Sequence, residues 1–374
     1  MNTKKGFAII AVAILLIAGI IIVSQSIRPA ANDGTISFTD SYGRKISMDH
    51  SPERVAVVNT DIAYYMQILD VENKVVGMDT DGLEKMLECS DRYGPELIDF
   101  GKRGAFSTST TIEKLLLNKV DCVLTPTSMG IGMTVLADVI ENNGIKVVYL
   151  NAYGNKMLDT MDMMVTLFGA TDQLKEKAAE YKSLFNSYID KAKIVCPTKD
   201  PTLDYVYYMS SSSGTVGYYY VSTSELDGIV SSISGTNRAQ TTSGSFSQYT
   251  REALAALFFD SSTPVLDFIF IRGTDDYTID QVMDIFDSQG LPTTYTVGDY
   301  RSDNAGSVET IYVNTHIVSG MMCCFSYLVY AYAFTDGLQD ADIDYIDSEA
   351  RSFMTKYGFD FVISDSNPIC RIVA

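Results

Sequence analysis

The apolar and polar positions between residues 36 and 79 alternate in a pattern that predicts short strands around one helix. A predicted hairpin leads into the apolar strand Val55–Asn59, a helix follows at Asp61–Leu69, and a second strand lies at Val75–Met78. The first strand ends in the polar turn Asn59-Thr60-Asp61, which opens the helix. Ligands bind at the carboxyl ends of the strands in open α/β sheets. The segment therefore predicts a ligand-facing sheet edge.

The same alternation continues to about residue 150. Apolar strands are predicted at Val120–Leu124 and Lys146–Leu150, with helices at Lys114–Asn118 and Val135–Asn142. Apolar strands separated by helices indicate a mostly parallel sheet that is covered on both faces.

A long amphipathic helix is predicted next. Thr171-Asp172 caps it, and apolar residues recur every three or four positions to about Lys193. Such a helix spans roughly 30 Å, which is enough to join two lobes. We expect an N-terminal lobe at residues 36–170, a bridging helix at 171–196 and a C-terminal lobe at 200–374. A core helix of a single domain is the alternative interpretation.

The region after Pro201 repeats the alternation of strands and helices. Strands are predicted at Asp204–Met209, Val265–Ile271 and Thr310–Val313, and a helix from about Ser319 to Phe334. Further helices are expected at Ser224–Ser232 and Ile279–Gln289. The predicted fold class is α/β, with two Rossmann-like lobes whose mostly parallel sheets are joined by one long inter-lobe helix.

Residues 1–31 form a signal or membrane anchor. Lys4 and Lys5 precede an apolar run at residues 6–23, whose length is at the lower limit for a membrane span. Small residues at 24–26 leave a cleaved signal open, but we favour an uncleaved tether to the cell membrane. In both cases the lysines stay inside and the rest of the chain is extracytoplasmic.

Charge and composition exclude several functions. The formal net charge of −19 argues against nucleic acid and anionic lipid as partners, and we expect a soluble monomer outside the cell. The chain has only two histidines, His50 and His316, and no Gly-x-Ser-x-Gly elbow, so no catalytic cluster is predicted. Its six cysteines form no C-x-x-C pair, although an exported chain could pair Cys196 with Cys370 or use Cys89 in a disulfide.

Several motifs carry a resemblance to a known family. They are the block at residues 36–79, Thr111–Leu124, Gly235-Thr236-Asn237 and Thr250-Arg251-Glu252. In this order they resemble the periplasmic substrate-binding proteins of the ferric-siderophore, cobalamin and haem ABC importers. The second motif departs from the family pattern at Val120, where proline is usual.

The resemblance implies a binding protein rather than an enzyme, with an ABC permease and its ATPase as partners. The transported ligand is expected to be a metal chelate, with a ferric siderophore as first choice and a corrinoid or haem as alternatives. No intrinsic cofactor or protein-bound metal is expected, because two distant histidines cannot build a site for a bare ion. An enzyme on a similar bilobal fold is the less favoured interpretation. The resemblance also assigns permease docking to Glu113 and Glu252, each expected in the first turn of a helix.

Candidate ligand-binding residues lie at the predicted strand ends and in the tyrosine-rich loops. Arg103 and Arg272 suit an anionic group on the ligand, and a tyrosine oxygen can bind haem iron. A core position on the helix is the alternative for Tyr64. The full set is Asn59, Thr60, Tyr64, Arg103, Tyr153, Tyr219, Arg272 and His316.

Overall fold

The computed structural model describes residues 35–106, 108–127, 137–154, 156–210, 217–220, 225–238, 246–248, 259–260, 263–264, 267–273, 278–281, 309–318, 320–361, 363–364 and 368–373. Among these residues, no helix has both the length and the apolar character needed to cross a membrane. The predicted anchor at residues 6–23 and the candidate docking residue Glu252 lie outside them.

The N-terminal lobe is built on a five-stranded parallel sheet in the order β5-β4-β3-β6-β7. Its central strand is fully buried, as expected for an apolar strand covered by helices on both faces. A separate antiparallel hairpin, β1-β2, precedes the sheet. The strands are β1 Ile36–Thr39, β2 Lys45–Met48, β3 Val55–Val57, β4 Val75–Met78, β5 Ile98–Asp99, β6 Cys122–Pro126 and β7 Lys146–Leu150. The helices are α1 Thr60–Ile68, α2 Thr80–Cys89, α3 Ser109–Leu117 and α4 Met157–Leu167, with 3-10 turns at Glu72–Lys74 and Arg103–Ala105 and helical residues at 137–141.

The C-terminal lobe has a mixed sheet in the order β11-β9-β8-β14-β15-β16, and β10 pairs with β8. The inner strands β8, β14 and β15 are parallel, whereas β9, β11 and β16 are antiparallel to their neighbours. The strands are β8 Asp204–Ser210, β9 Gly217–Tyr220, β10 Thr236–Asn237, β11 Phe246–Gln248, β12 Phe259–Asp260, β13 Thr263–Pro264, β14 Phe268–Arg272, β15 Glu309–Val313 and β16 Cys370–Val373. The helices are α6 Glu225–Ile233, α7 Thr315–Val318, α8 Cys324–Asp336 and α9 Asp340–Tyr357, with a 3-10 turn at Gly320–Met322.

Helix α5, Asp172–Val195, connects the two sheets along the chain. Its 24 residues span roughly 36 Å. The Thr171 hydroxyl accepts a hydrogen bond from the Leu174 backbone N–H at 3.3 Å and so caps the first turn. Its buried face packs against α4 and α8 and also touches α1. That face consists of Leu174, Ala178, Tyr181, Phe185, Tyr188 and Ala192, in agreement with the predicted spacing.

One continuous cluster of buried apolar side chains runs through both lobes. It includes Val57 and Tyr65 from the N-terminal lobe, Tyr181 from α5, and Phe270 and Leu328 from the C-terminal lobe. The two sheets therefore share this cluster, while a second buried cluster, which includes Val58, Phe100 and Tyr149, belongs to the N-terminal lobe alone.

Polar contacts also cross between the lobes. The Gln67 side-chain amide, on α1, donates to the backbone carbonyls of Tyr357 and Gly358, both at 2.8 Å. The Tyr181 hydroxyl donates to the Met321 carbonyl at 2.9 Å. Because Gln67 has no solvent exposure, its bonds to the end of α9 are fixed contacts between the lobes.

The predicted fold class is confirmed, but several element boundaries were wrong. Helix α3 begins at Ser109, because the Thr108 hydroxyl accepts from the Thr111 N–H and caps the helix earlier. Glu113 therefore lies in the second turn and not in the first, although it is exposed as expected. The helix predicted from Ser319 begins at Cys324 after a 3-10 turn. The helix α9 and the strand β16 were not predicted, and most of the helix predicted at Ile279–Gln289 lies outside the described residues.

Candidate functional site

The cleft between the lobes lies where several parallel strands end. Asn59 and Tyr153 follow β3 and β7 in the N-terminal lobe, and Arg272 and His316 lie at the ends of β14 and β15 in the C-terminal lobe. Together they line a cavity of about 190 Å³. Every predicted ligand-binding residue except Tyr219 lines this cavity, namely Asn59, Thr60, Tyr64, Arg103, Tyr153, Arg272 and His316.

Asn59 organises the N-terminal edge of the cleft. Its side-chain oxygen accepts from the Asp61 N–H at 2.7 Å, which caps α1, and its amide donates to the Tyr153 hydroxyl oxygen at 2.9 Å. Its backbone φ is 100°, a region that non-glycine residues rarely adopt and that is found mostly at functional sites. Both ends of the side chain are thus engaged within the protein, so Asn59 shapes the cleft.

Tyr153 offers a hydroxyl donor to the cleft. Burial raises the pKa of Tyr153 well above its ordinary value, and the nearby Asp61 carboxylate raises it further, while the Asn59 hydrogen bond acts in the opposite direction. The side chain is therefore a neutral phenol. Its oxygen accepts from Asn59, and no described residue accepts its proton. A neutral phenol can donate a hydrogen bond to an anionic group.

Arg103 carries a positive charge into the same cleft. Its Nε donates to the Asp79 carboxylate at 2.8 Å, and that carboxylate is fully buried. Burial lowers the pKa of the Arg103 guanidinium, but the adjacent Asp79 carboxylate outweighs this and the net pKa is raised. Within the described part of the chain, the two terminal nitrogens of Arg103 have no hydrogen-bond partner. They form a fork of donors suited to carboxylate or other anionic oxygen.

The C-terminal side of the cleft adds a second cation and an aromatic pair. Arg272 is the last residue of β14, in register with Met209 and Val313 on the flanking strands. The His316 ring stacks on Phe361, with centroids 4.0 Å apart and an interplanar angle of 25°. This stacking fixes the plane of the imidazole at the cleft wall.

The two remaining predicted tyrosines differ from Tyr153. Tyr64 is only 4% exposed, its ring meets Phe359 and Phe361 edge-on, and its hydroxyl lies 3.7 Å from the Cys89 sulfur. It is mainly a core residue with an edge at the cleft. Tyr219 lies on β9 opposite Tyr208, and its side chain is outside the described part, so its role stays a prediction.

The sequence reasoning missed four residues at the site. Asp61, Lys85 and Met321 also line the cavity, and Asp79 lies directly behind Arg103. Asp61 belongs to the same strand-end turn as Asn59, and Asp79 immediately follows β4, so the strand-end rule points to both. Lys85 in the middle of α2 and Met321 in a 3-10 turn carry no such signal.

The described residues contain no group of three or more His, Cys, Asp or Glu side chains arranged to hold a metal ion. None of the six cysteines forms a disulfide, so the pairing considered for Cys196 and Cys370 is not formed, and all but Cys196 are buried. Burial raises the pKa of the Cys370 thiol to about 12, so it is a core residue of low reactivity.

The sequence matches no protein-family model and no curated protein, but the fold is similar to several solved structures. A TroA-like periplasmic binding protein, FepB from Veillonella parvula, matches with a TM-score of 0.63 and 15% identity over 91% of this chain and 100% of its own. MolA, a molybdate periplasmic binding protein of a Haemophilus influenzae ABC transporter, matches with a TM-score of 0.60 and 16% identity over 86% and 97%. An ABC-type Fe3+-hydroxamate transport system protein from Saccharomonospora viridis matches with a TM-score of 0.55 and 16% identity over 80% and 98%. The chain therefore has the bilobal fold of periplasmic binding proteins.

Proposed function

We propose that this protein is an extracytoplasmic solute-binding protein of an ABC importer that captures a metal chelate and delivers it to a permease. The observation that carries the proposal is the cleft between two strand-end edges, into which Arg103, Tyr153 and Arg272 converge. Pockets with a few converging polar groups are the usual form of a ligand site on such folds. The proposed lobes are residues 36–170 and 200–374, with α5 as the bridge.

A ferric siderophore is the preferred ligand. A chelate brings its own metal ligands, so the protein has to supply only shape, aromatic surface and counter-charge. The Arg103 fork and the Tyr153 donor match anionic oxygens on such a complex. Haem and a corrinoid are the alternatives within the same class of ligand.

A compact oxyanion is a second candidate, favoured by the size of the cavity. A volume of about 190 Å³ is smaller than the roughly 300–1,000 Å³ of pockets that bury larger ligands. MolA, which shares the fold, was solved with molybdate bound. Two arginines with one phenol are also a donor set suited to an oxyanion.

A thermal-shift screen of the protein tests the proposal, because a ligand that binds only the folded state raises its stability. The panel contains a ferric hydroxamate, a ferric catecholate, cobalamin, haem, molybdate, and free zinc and manganese. We expect a shift with at least one chelate and none with the free cations. Tight binding of free zinc that is lost in His316→Ala would overturn the proposal. A shift with molybdate alone would select the second candidate.

The proposal extends to the membrane and to the permease. We propose that residues 6–23 tether the chain and that residues 32–374 alone form a soluble monomer, to be checked by gel filtration without detergent. Persistent membrane association of that fragment would contradict this.

We also propose that Glu113, exposed on α3, and Glu252 pair with arginines of the permease. Glu113→Ala combined with Glu252→Ala should then abolish uptake and leave ligand affinity unchanged, since exposed rim charges govern association with a partner. Normal uptake by the double variant would mean that neither residue takes part in docking.

A further inference from the structure

Asp79 is a buried polar residue at a helix-capping position, yet its side chain does not form the hydrogen bond of a cap. It is the N-cap residue of α2, and aspartate is one of the best residues for that position. Yet its carboxylate makes no capping bond to the helix backbone. The absence of this bond means that the carboxylate is committed elsewhere.

Both oxygens of that carboxylate are directed to the cleft edge. Oδ1 accepts from the backbone N–H of Asn59 at 2.7 Å, and Oδ2 accepts from Arg103 Nε at 2.8 Å. The carboxylate thus ties together two chain segments that line the cavity. One is the strained turn that begins α1, and the other is the 3-10 turn that carries Arg103.

The surrounding chain leaves room for this arrangement. A side chain at Gly82, in the first turn of α2, would place its Cβ 2.8 Å from Asp79 Oδ1. Glycine at that position therefore allows the carboxylate to lie against the helix. Asp79 itself has no solvent exposure, so water does not compete for its hydrogen bonds.

We propose that Asp79 is a positioning residue for ligand binding, which holds Arg103 through Nε so that both terminal guanidinium nitrogens face an anionic oxygen-rich group of the ligand. The proposal rests on the proposed function of the cleft, and it narrows the ligand to one with negatively charged oxygens. An arginine side chain without such a partner would lose more conformational entropy on binding. The buried ion pair arranges the donor fork before the ligand arrives.

A double-mutant cycle on the full chain tests this, with ferric tris-catecholate and molybdate as anionic probes. Asp79→Asn keeps the size of the side chain and an acceptor for the Asn59 N–H. We expect it to weaken binding of the responding probe roughly tenfold, the scale of one charge-assisted hydrogen bond. In an Arg103→Ala background the same change should have no further effect, because Asp79 acts through Arg103. Equal losses in both backgrounds would show a general structural effect and overturn the proposal.

Asp81→Asn is the matched control. Asp81 is exposed in the first turn of the same helix and also interacts electrostatically with Arg103, but it makes no hydrogen bond to it. Its removal changes the charge near the site without freeing the guanidinium, so affinity should change less than about threefold. A loss as large as that of Asp79→Asn would mean that net charge, not positioning, controls binding.

A ligand-free measurement keeps this inference separate from the proposed function. The Arg103 Nε–H proton, assigned in the NMR spectrum through its disappearance in Arg103→Lys, should exchange slowly in the native protein and rapidly in Asp79→Asn. Rapid exchange in both proteins would refute the positioning role even if a chelate binds. Slow exchange in a protein that binds no member of the panel would refute the proposed function but would still support the ion pair between Asp79 and Arg103.

Discussion

Polar side chains surround both ends of helix α1, but their hydrogen bonding differs between the two ends. At its N-terminal end, around Asn59, Arg103 and Tyr153 retain donors that have no acceptor among the described residues. At its C-terminal end, Gln67 has both of its side-chain groups engaged. Its amide donates to two carbonyls of the other lobe, and its oxygen accepts from Ser90 at 2.7 Å.

This difference indicates that residues around one end of α1 serve ligand binding and residues around the other end serve stability. Arg103 and Tyr153 are partly exposed in the cleft, so their remaining donors are accessible to a ligand. A fully satisfied buried amide indicates a structural role. Changes at the first end should therefore alter ligand affinity, whereas changes at the second should alter the free energy of unfolding.

The largest expected effect is that of Gln67→Ala. The change removes three side-chain hydrogen bonds, among them those to the carbonyls of Tyr357, which is buried, and Gly358, which is exposed. Unfolding should therefore become easier by roughly 3 kcal/mol. Urea unfolding measures this, and ligand affinity of the folded protein should stay the same. Ser90→Ala is the control: it removes one of these bonds and the acceptor of the Arg92 N–H, and it should cost roughly 1–2 kcal/mol. A stable Gln67→Ala variant with weakened binding would reverse the assignment of the two ends.

Arg103→Lys should have the next largest effect, this time on affinity. Lysine keeps the charge and a donor for Asp79, but it lacks the planar fork of terminal nitrogens. We expect affinity for an anionic chelate, measured by calorimetry, to fall about tenfold or more with little change in stability. Equal affinity for the two proteins would mean that the cleft recognises only charge at this position.

Two tyrosine-to-phenylalanine changes form a matched pair with a smaller expected effect on affinity. Tyr153→Phe removes the hydroxyl donor in the cleft, so affinity should fall by roughly five- to tenfold, the scale of one neutral hydrogen bond. Tyr64→Phe removes a hydroxyl that lies 3.7 Å from the Cys89 sulfur in the core, and affinity should be unchanged. The opposite order of effects would make Tyr64 the ligand contact.

The smallest effect is expected at the last turn after α1, where Asp70 pairs with Lys177 and Arg92. Burial alone raises the pKa of Asp70, but the hydrogen bonds from Lys177 and Arg92 outweigh it, and the pKa is lowered. A lowered pKa in the folded state stabilises the protein above the ordinary value of 3.8, and this stabilisation is lost as the pH falls below it. Asp70→Asn should therefore cost less than about 1 kcal/mol at neutral pH, and the difference should shrink in acid. A constant difference at all pH values would exclude the ion pairs as its cause.

Local sequence rules located most of the cleft, because its residues follow strands. Asn59, Tyr153 and Arg272 come at or just after strand ends, where the chain order alone indicates a sheet edge. Asp79 obeys the same rule after β4, but the prediction followed only the first strand into its helix. Lys85 and Met321 reach the cleft through tertiary packing of a helix face and a turn, which no local pattern encodes.

The elements of the fold were likewise predicted best where the apolar pattern along the chain is regular. The buried strands and α5 have clear apolar periodicity, and their positions were close to those observed. Helix α9 was missed although its buried apolar residues recur at helical spacing, as Ile346, Ala350, Phe353 and Tyr357 show. Strand β16 pairs antiparallel with β15 where the chain returns to the sheet. The position of β16 is thus set by a long-range contact rather than by its own residues.

The shared core has a consequence for how the molecule comes apart. Since one apolar cluster extends from Val57 through Tyr181 to Leu328, neither half of the chain can melt without exposing the interior of the other. Heating should therefore give a single sharp calorimetric transition, with equal calorimetric and van't Hoff enthalpies. A half-molecule produced alone would expose that apolar surface and aggregate. Occupancy of one small cleft would then protect the entire chain from proteolysis, including segments far from any bound atom.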